Sequence, residues 1–415
     1  MAIDSSNELP FLNGVYVAVD AVRDCYLIVD GPYCVFTKAE MQYCHNLRCR
    51  LQPHLGQARV VHTASDGHKE EVASTALDRT ELVEGVFAQV CSLPDAQIVL
   101  ATSFDFHQLL NFPLEAMANR FAEHTGKLVC HVRSRSLGGT WLDGYALVCE
   151  SLARAIALRQ GRKRPGAVAV VGYLFDRDEP DHHGNLAELR RMLAALGLEV
   201  TSVWLSGGGL EQLQSVEEAS IVVSFPYARE AARILAERLQ ADLIEVDLPL
   251  GLSASAQMMQ TVARHVGGQA QAGVLVEQEL ASAVDDTRRH VLRVIAGNTA
   301  RLACTDPWLE RALAALCVEL GLRVVDADAP PEAELLRCHE LCFRPTLTTD
   351  SLERIHVPVG YPNYVDHPVA ERPFLGFAGY RNLVDLIASS ILRFEADAPA
   401  RARARPSTEG LSTDD

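Results

Sequence analysis

A lone thiol follows a short apolar strand near the start of this chain. Tyr26-Leu27-Ile28-Val29 is the strand candidate, and Asp30-Gly31-Pro32-Tyr33-Cys34 continues from it without a break. A strand ending in Gly-Pro predicts a tight loop at the carboxyl edge of a sheet, where open α/β folds collect ligands and cofactors. A thiolate is a soft ligand, suited to iron–sulfur clusters and to zinc. One cysteine does not satisfy a four-iron cluster, so the remaining ligands must come from elsewhere in the chain or from another subunit. Cys25, Cys44 and Cys49 are the near candidates. Cys44-His45-Asn46-Leu47-Arg48-Cys49 has a metal-like spacing but no second pair. Its plainer reading is a helix with the two thiols on different faces. Cys25 lies just before the strand, where a cysteine packs well as a small hydrophobe.

Two other patches have chemical potential. Asp176, Asp178, Glu179, Asp181, His182 and His183 crowd the segment after another strand. They suit a hard or borderline metal; acidic residues capping the next helix explain them more simply. Ser206-Gly207-Gly208-Gly209 is a glycine run after a strand. It lacks the Lys-Ser/Thr of a phosphate-binding loop, so a flexible connection is the favoured reading. No Ser-His-Asp order, nucleophile elbow or paired-carboxylate motif stands out.

The elements that would position these residues alternate strand and helix. In the first part of the chain the strands include Arg59-Val60-Val61-His62, Ile98 to Thr102 and Leu128 to Val132. Gly14, Tyr16, Ala18, Ala21 and Val22 predict a helix with small residues on one face, packed closely on a neighbour. A long helix is expected over Gly144 to Gln160. Val168 to Gly172 opens a second unit, with a loop from Asp176 to Gly184. Leu186, Leu189, Leu193 and Leu196 then recur at helical spacing, and Gly197 closes that helix. Glu199 to Trp204, Ile221 to Ser224 and Leu243 to Val246 are strands; helices are expected over Ala228 to Leu239 and Ser255 to His265. A third unit begins with a strand over Val291 to Gly297, then a helix from Pro307 to Leu320 and a strand from Arg323. The fold class expected is α/β, with three Rossmann-like, doubly wound parallel-sheet domains. Their expected limits are 1–164, 165–275 and 276–394, the first carrying Cys34. The basic segment Gln160 to Pro165 reads as a linker, and 395–415 as a disordered tail.

With 415 residues, 48% of them hydrophobic, the chain is too long for one ordinary core. The formal charge of −16 disfavours nucleic acid as a partner. No apolar run reaches membrane-spanning length and no leader pattern opens the sequence, so a cytoplasmic protein is expected. Eleven cysteines, an odd number scattered along the chain, argue against a disulfide framework.

Several separated stretches carry a resemblance. Ile28 to Cys34 resembles the strand, Gly-Pro and cluster cysteine of the nitrogenase component 1-like family, which includes the catalytic subunits of dark-operative protochlorophyllide reductase and chlorophyllide a reductase. Ser74 to Gly85 is similar to its acidic-apolar-apolar-x-Gly segment, Val99 to Ser103 to its strand ending in Thr-Cys, and Gly138 to Gly144 to the loop opening its long helix. Asn185 to Gly197, Asp247 to Gly251 and Pro373 to Leu383 resemble later motifs. The likeness covers roughly residues 12 to 394. There are departures. The place of a first cluster cysteine is taken by Glu8-Leu9-Pro10-Phe11, the third falls on Ser103, and the loop is one residue short of Gly-Pro-x-Gly-Cys.

The resemblance implies a one-cysteine subunit of an oxidoreductase. Cys34 would contribute one ligand to an iron–sulfur cluster of the 4Fe-4S type, at a contact with a cysteine-rich sister subunit. A homodimer would offer two Cys34 thiolates and would need Cys25, Cys44 or Cys49 to complete the site. Electrons would come from a transient ATP-dependent iron-protein reductase, with no ATP bound by this chain, and would reach a small-molecule substrate. Asp105, His107 and His45 are proton-donor candidates. A cofactor-assembly scaffold of the same fold, or a degenerate non-redox subunit, are the rival readings.

Overall fold

The computed structural model describes residues 10–32, 59–64, 79–104, 112–135, 138–159, 161–174, 181–283, 286–325, 339–344, 354–360 and 371–397. These residues build three four-stranded sheets, each parallel throughout. The first contains β1 (Cys25–Pro32), β2 (Val60–Ala64), β3 (Ile98–Ser103) and β4 (Leu128–His131) in the order β2-β1-β3-β4. The second contains β5 (Arg164–Val171), β6 (Glu199–Val203), β7 (Ala219–Ser224) and β8 (Asp242–Glu245), ordered β6-β5-β7-β8. The third contains β9 (Thr299–Leu302), β10 (Arg323–Val325), β11 (Glu340–Arg344) and β12 (Ile355–Pro358), ordered β10-β9-β11-β12. All three orders reverse direction after the first strand. Each sheet therefore has a topological switch point beside that strand, the place where such sheets open a crevice.

Helices cover the sheets: α1 (Phe11–Asp20), α2 (Thr80–Ser92), α3 (Leu114–Thr125), α4 (Trp141–Ala155), α5 (Asp181–Ala194), α6 (Leu210–Gln214), α7 (Arg229–Leu239), α8 (Leu252–Val266), α9 (Gln269–Ala283), α10 (Asp286–Ile295), α11 (Pro307–Glu319) and α12 (Gly376–Ala396). Strand alternation sorts the side chains of β1. Leu27 and Val29 join a core that continues through all three sheets, whereas Tyr26 and Ile28 face a smaller core with Val83 and Phe87 of α2. The expected close contact of the Gly14 helix is present. A Cβ on Gly14 would lie 1.6 Å from the Trp141 carbonyl oxygen, and one on Gly144 would lie 2.1 Å from that of Phe11. The first turns of α1 and α4 thus meet backbone to backbone.

Three expected elements differ. Val291 to Ile295 is the last part of α10, not a strand. Its β-branched residues suggest a strand, but Arg293 is exposed between half-buried Leu292 and Val294, and Ile295 is buried. That is a helical stripe, and the strand comes after Gly297, at Thr299–Leu302. The long helix starts at Trp141 because Thr140 and Asp143 form a capping box. It stops at Ala155, where Arg238 of α7 donates to the carbonyls of Ala153, Arg154 and Ile156. The basic stretch read as a linker is tied down: Arg164 opens β5 and pairs with Glu199 and Glu218. No helix among the described residues is long and apolar enough to cross a membrane.

Candidate functional site

The carboxyl end of β1 is held from three sides. Asp30 is fully buried on the α2 face. Arg79, the residue before α2, donates from Nη2 to both of its carboxylate oxygens at 2.7 Å. The Thr63 hydroxyl at the end of β2 donates to Asp30 Oδ1 at 2.7 Å and accepts the Gly31 amide at 3.2 Å. On the other flank the Phe104 amide donates to the Asp30 carbonyl at 2.9 Å, extending the β1–β3 ladder by one rung. Gly31 is required here, because a Cβ would lie 2.6 Å from that of Phe104. The Phe112 ring lies under the Arg79 guanidinium, 5.4 Å from ring centroid to Cζ. A buried ion pair with this many hydrogen bonds is strongly directional.

This clamp sits at the switch point of the first sheet. From it the chain departs toward Cys34 after Pro32, and toward Asp105 and His107 after Phe104, from adjacent strands. Cys34, Cys44, Cys49, His45, Asp105 and His107 themselves lie outside the described residues. Ser103 ends β3 directly opposite Asp30 and is buried. Cys25 is at the far, amino end of β1. It is completely buried, and desolvation pushes its thiol well above the ordinary range. An eight-residue strand spans roughly 20 Å, so Cys25 belongs to the packed core and not to the Cys34 edge. Cys130 is buried similarly, its thiol pushed up to about 12 by desolvation. Among the described residues no group of three or more His, Cys, Asp or Glu side chains converges to hold a metal.

The second switch point is filled differently. Tyr173 follows β5, and its hydroxyl bonds His182 Nδ1 at 3.1 Å and accepts from Asn185 Nδ2 at 3.0 Å. Asp181, His182 and His183 lie in α5 and not in a loop; 176–180 are outside the described residues. Desolvation holds His182 well below the ordinary histidine range, and His183 adds to the shift. Asn185 Oδ1 also accepts the amides of Phe374 and Leu375. The Gly376 amide donates to the Pro249 carbonyl, so two stretches singled out in the sequence meet here. Between the second and third sheets, the Tyr227 hydroxyl donates to Asp306 Oδ2, and Asp306 Oδ1 caps α11. The glycine run at 206–209 leads into α6, whose Leu210 amide donates to the Asp24 carboxylate at 3.0 Å. It receives an anion, but one from this chain.

The sequence matches the family model of the nitrogenase component 1 type oxidoreductases over residues 12–330. The chain belongs to this family. A solved structure of nitrogenase Cp1 at pH 6.5 superposes with a TM-score of 0.73, covering 98% of this chain and 96% of that one at 15% identity. Nitrogenase Cp1 at pH 5 gives a TM-score of 0.66 over 95% and 90% at 12% identity. At such identities the likeness carries the fold alone. No curated protein matches the sequence. The nitrogenase component 1 type fold accounts for the three similar sheets. It leaves the roles of individual residues to be argued from the site.

Neither Thr63 nor the pairing of Asp30 with Arg79 is evident from sequence, which carries one signal of it: Asp30 is a carboxylate closing an apolar strand that must be buried on both faces. Such a group needs a cation, but nothing local says that Arg79 supplies it.

Proposed function

We propose that this chain is the one-cysteine subunit of a nitrogenase-like reductase, with Cys34 contributing one thiolate to an iron–sulfur cluster shared with a cysteine-rich sister subunit. The observation that carries this reading is the clamped end of β1, which launches the Cys34 loop from the switch point of a family domain. Residues 1–164 would form the cluster-bearing unit, with 165–275 and 276–394 completing a substrate cleft. Such a cluster supplies one-electron transfer at low potential. The chain supplies a ligand, fixes its approach, and delivers protons from the segment after Phe104, where Asp105 and His107 are candidates. An ATP-dependent iron-protein partner would provide the electrons; the substrate is a small molecule. Ser103, at the position of the third family cysteine, supports a rival reading in which the subunit binds a partner without redox work.

The deciding experiment is anaerobic co-purification with the sister subunit, followed by iron analysis and visible absorbance. Wild type and Cys25→Ala should carry iron and cluster absorbance, and Cys34→Ala should lose both. An iron-free wild-type complex, or a Cys34→Ala complex with undiminished iron, refutes the proposal.

A further inference from the structure

We infer that the Asp30–Arg79 ion pair, with Thr63, is a positioning device for the loop that carries Cys34; this rests on the proposed role of Cys34. The pair occupies the top of an apolar core formed by Tyr26, Ile28, Val83 and Phe87. Hydrophobic residues of similar volume would fill that place at no cost in stability, because buried ion pairs recover little more than their desolvation penalty. What an apolar filling lacks is direction. Arg79 orients both carboxylate oxygens, Thr63 passes that orientation to the Gly31 amide, and the Asp30 carbonyl is fixed by Phe104. Pro32 then fixes its own φ. Cys34 is two residues further along the sequence. Arg79 also precedes α2 directly, and its carbonyl accepts the Val83 amide, so the device ties the loop to a helix axis. A ligand shared between subunits needs such support, since small displacements of a positioned group are costly to function.

The test uses the full chain, alone and with its sister subunit. Asp30→Leu combined with Arg79→Met removes the charges but keeps the volume. Thr63→Val removes only the relay to Gly31. Melting temperature reports folding. In the chain alone, the alkylation rate of Cys34, read by peptide mass mapping, reports loop order. In the complex, iron content and the electron paramagnetic resonance line shape report ligand placement. The expected result is a near-wild-type melting temperature in both variants. Cys34 alkylation should be several-fold faster, at least half the iron should be lost, and the resonance should broaden. Arg79→Lys, which keeps charge but loses the planar fork, should restore iron in part. Folded variants with wild-type alkylation, iron and line shape overturn the inference. Thr63→Val decides alone if the double variant fails to fold. An iron-free wild-type complex sinks the proposed function, while alkylation still judges the clamp.

Discussion

Replacing Gly14 by Ala should destabilise this protein, although the same change in most helices does the reverse. In a helix interior Ala is favoured over Gly by about 1 kcal/mol. At Gly14 the new Cβ would lie 1.6 Å from the Trp141 oxygen, 2.6 Å from its carbon and 2.8 Å from the Tyr145 amide nitrogen. All three are backbone atoms of α4, so no rotamer change relieves them. Restoring van der Waals separation needs a movement of α1 on the order of 1.5 Å or more. That shift would loosen Phe11, Val15 and Val19 from the shared core. Overpacking typically costs ~1–3 kcal/mol, and rigid neighbours place this case at or above the upper end. The net expectation is a loss of about 2 kcal/mol or more after the propensity gain. Gly273→Ala in α9 is the control: its Cβ meets nothing within 4 Å, and it should stabilise by ~0.5–1 kcal/mol. Urea unfolding followed by tryptophan fluorescence measures both, with Trp141 reporting from the contact itself. If Gly14→Ala matches or exceeds wild type, the close helix contact is not real.

Three further outcomes follow from polar contacts between elements. Arg238→Ala strips donors from three carbonyls at the end of α4; hydrogen bonds to charged groups are worth about 1.5–3 kcal/mol, so the first unfolding transition should move to clearly lower urea. Asn185→Ala leaves the Phe374 and Leu375 amides without their acceptor and should cost ~2 kcal/mol or more, with faster amide exchange at both residues. His182 is held neutral by burial, below its unfolded value near 6.5. As pH falls below about 6.5 the unfolded chain gains a proton that the folded chain refuses, so stability should drop by up to ~1.4 kcal/mol per pH unit until the folded value is reached. His182→Asn should flatten that acid limb; an unchanged slope assigns it to other groups.

How much of this was legible in the sequence depends on the distance over which each signal acts. Strand and helix alternation was readable because hydrophobic period is local, and the Gly14 face was readable because small residues recur within one helix. The same locality misled at Val291 to Ile295, where β-branched residues outweighed the exposed Arg293. Pairings across the fold left no such trace. Asp30 and Arg79 are 49 residues apart, Asp24 and Leu210 are 186 apart, and Asn185 and Phe374 are 189 apart. In each, one partner is an ordinary residue whose purpose appears only when the sheets are assembled. The glycine run is the clearest instance: its composition suggested mobility or phosphate, and the fold supplies Asp24 to it.

The three sheets share one strand order, so their switch points form an internal comparison. At the second, Tyr173 and Asn185 bond toward α5 and the segment before α12. Between the second and third, Tyr227 and Asp306 bond across the two units. These polar groups hold units to one another. At the first switch point the charged side chains of the clamp meet within the unit, and what they fix is the outgoing backbone at Gly31. A fold needs its domains joined, so the second kind of contact requires only stability to explain it. Orienting a strand end by a buried ion pair adds little stability over an apolar filling. Among the described residues the third sheet also carries an ion pair, Arg301 of β9 with Glu340 of β11, but that pair ties neighbouring strands together; the clamp beside Gly31 fixes the outgoing backbone, as expected if the loop after β1 carries a group whose position matters.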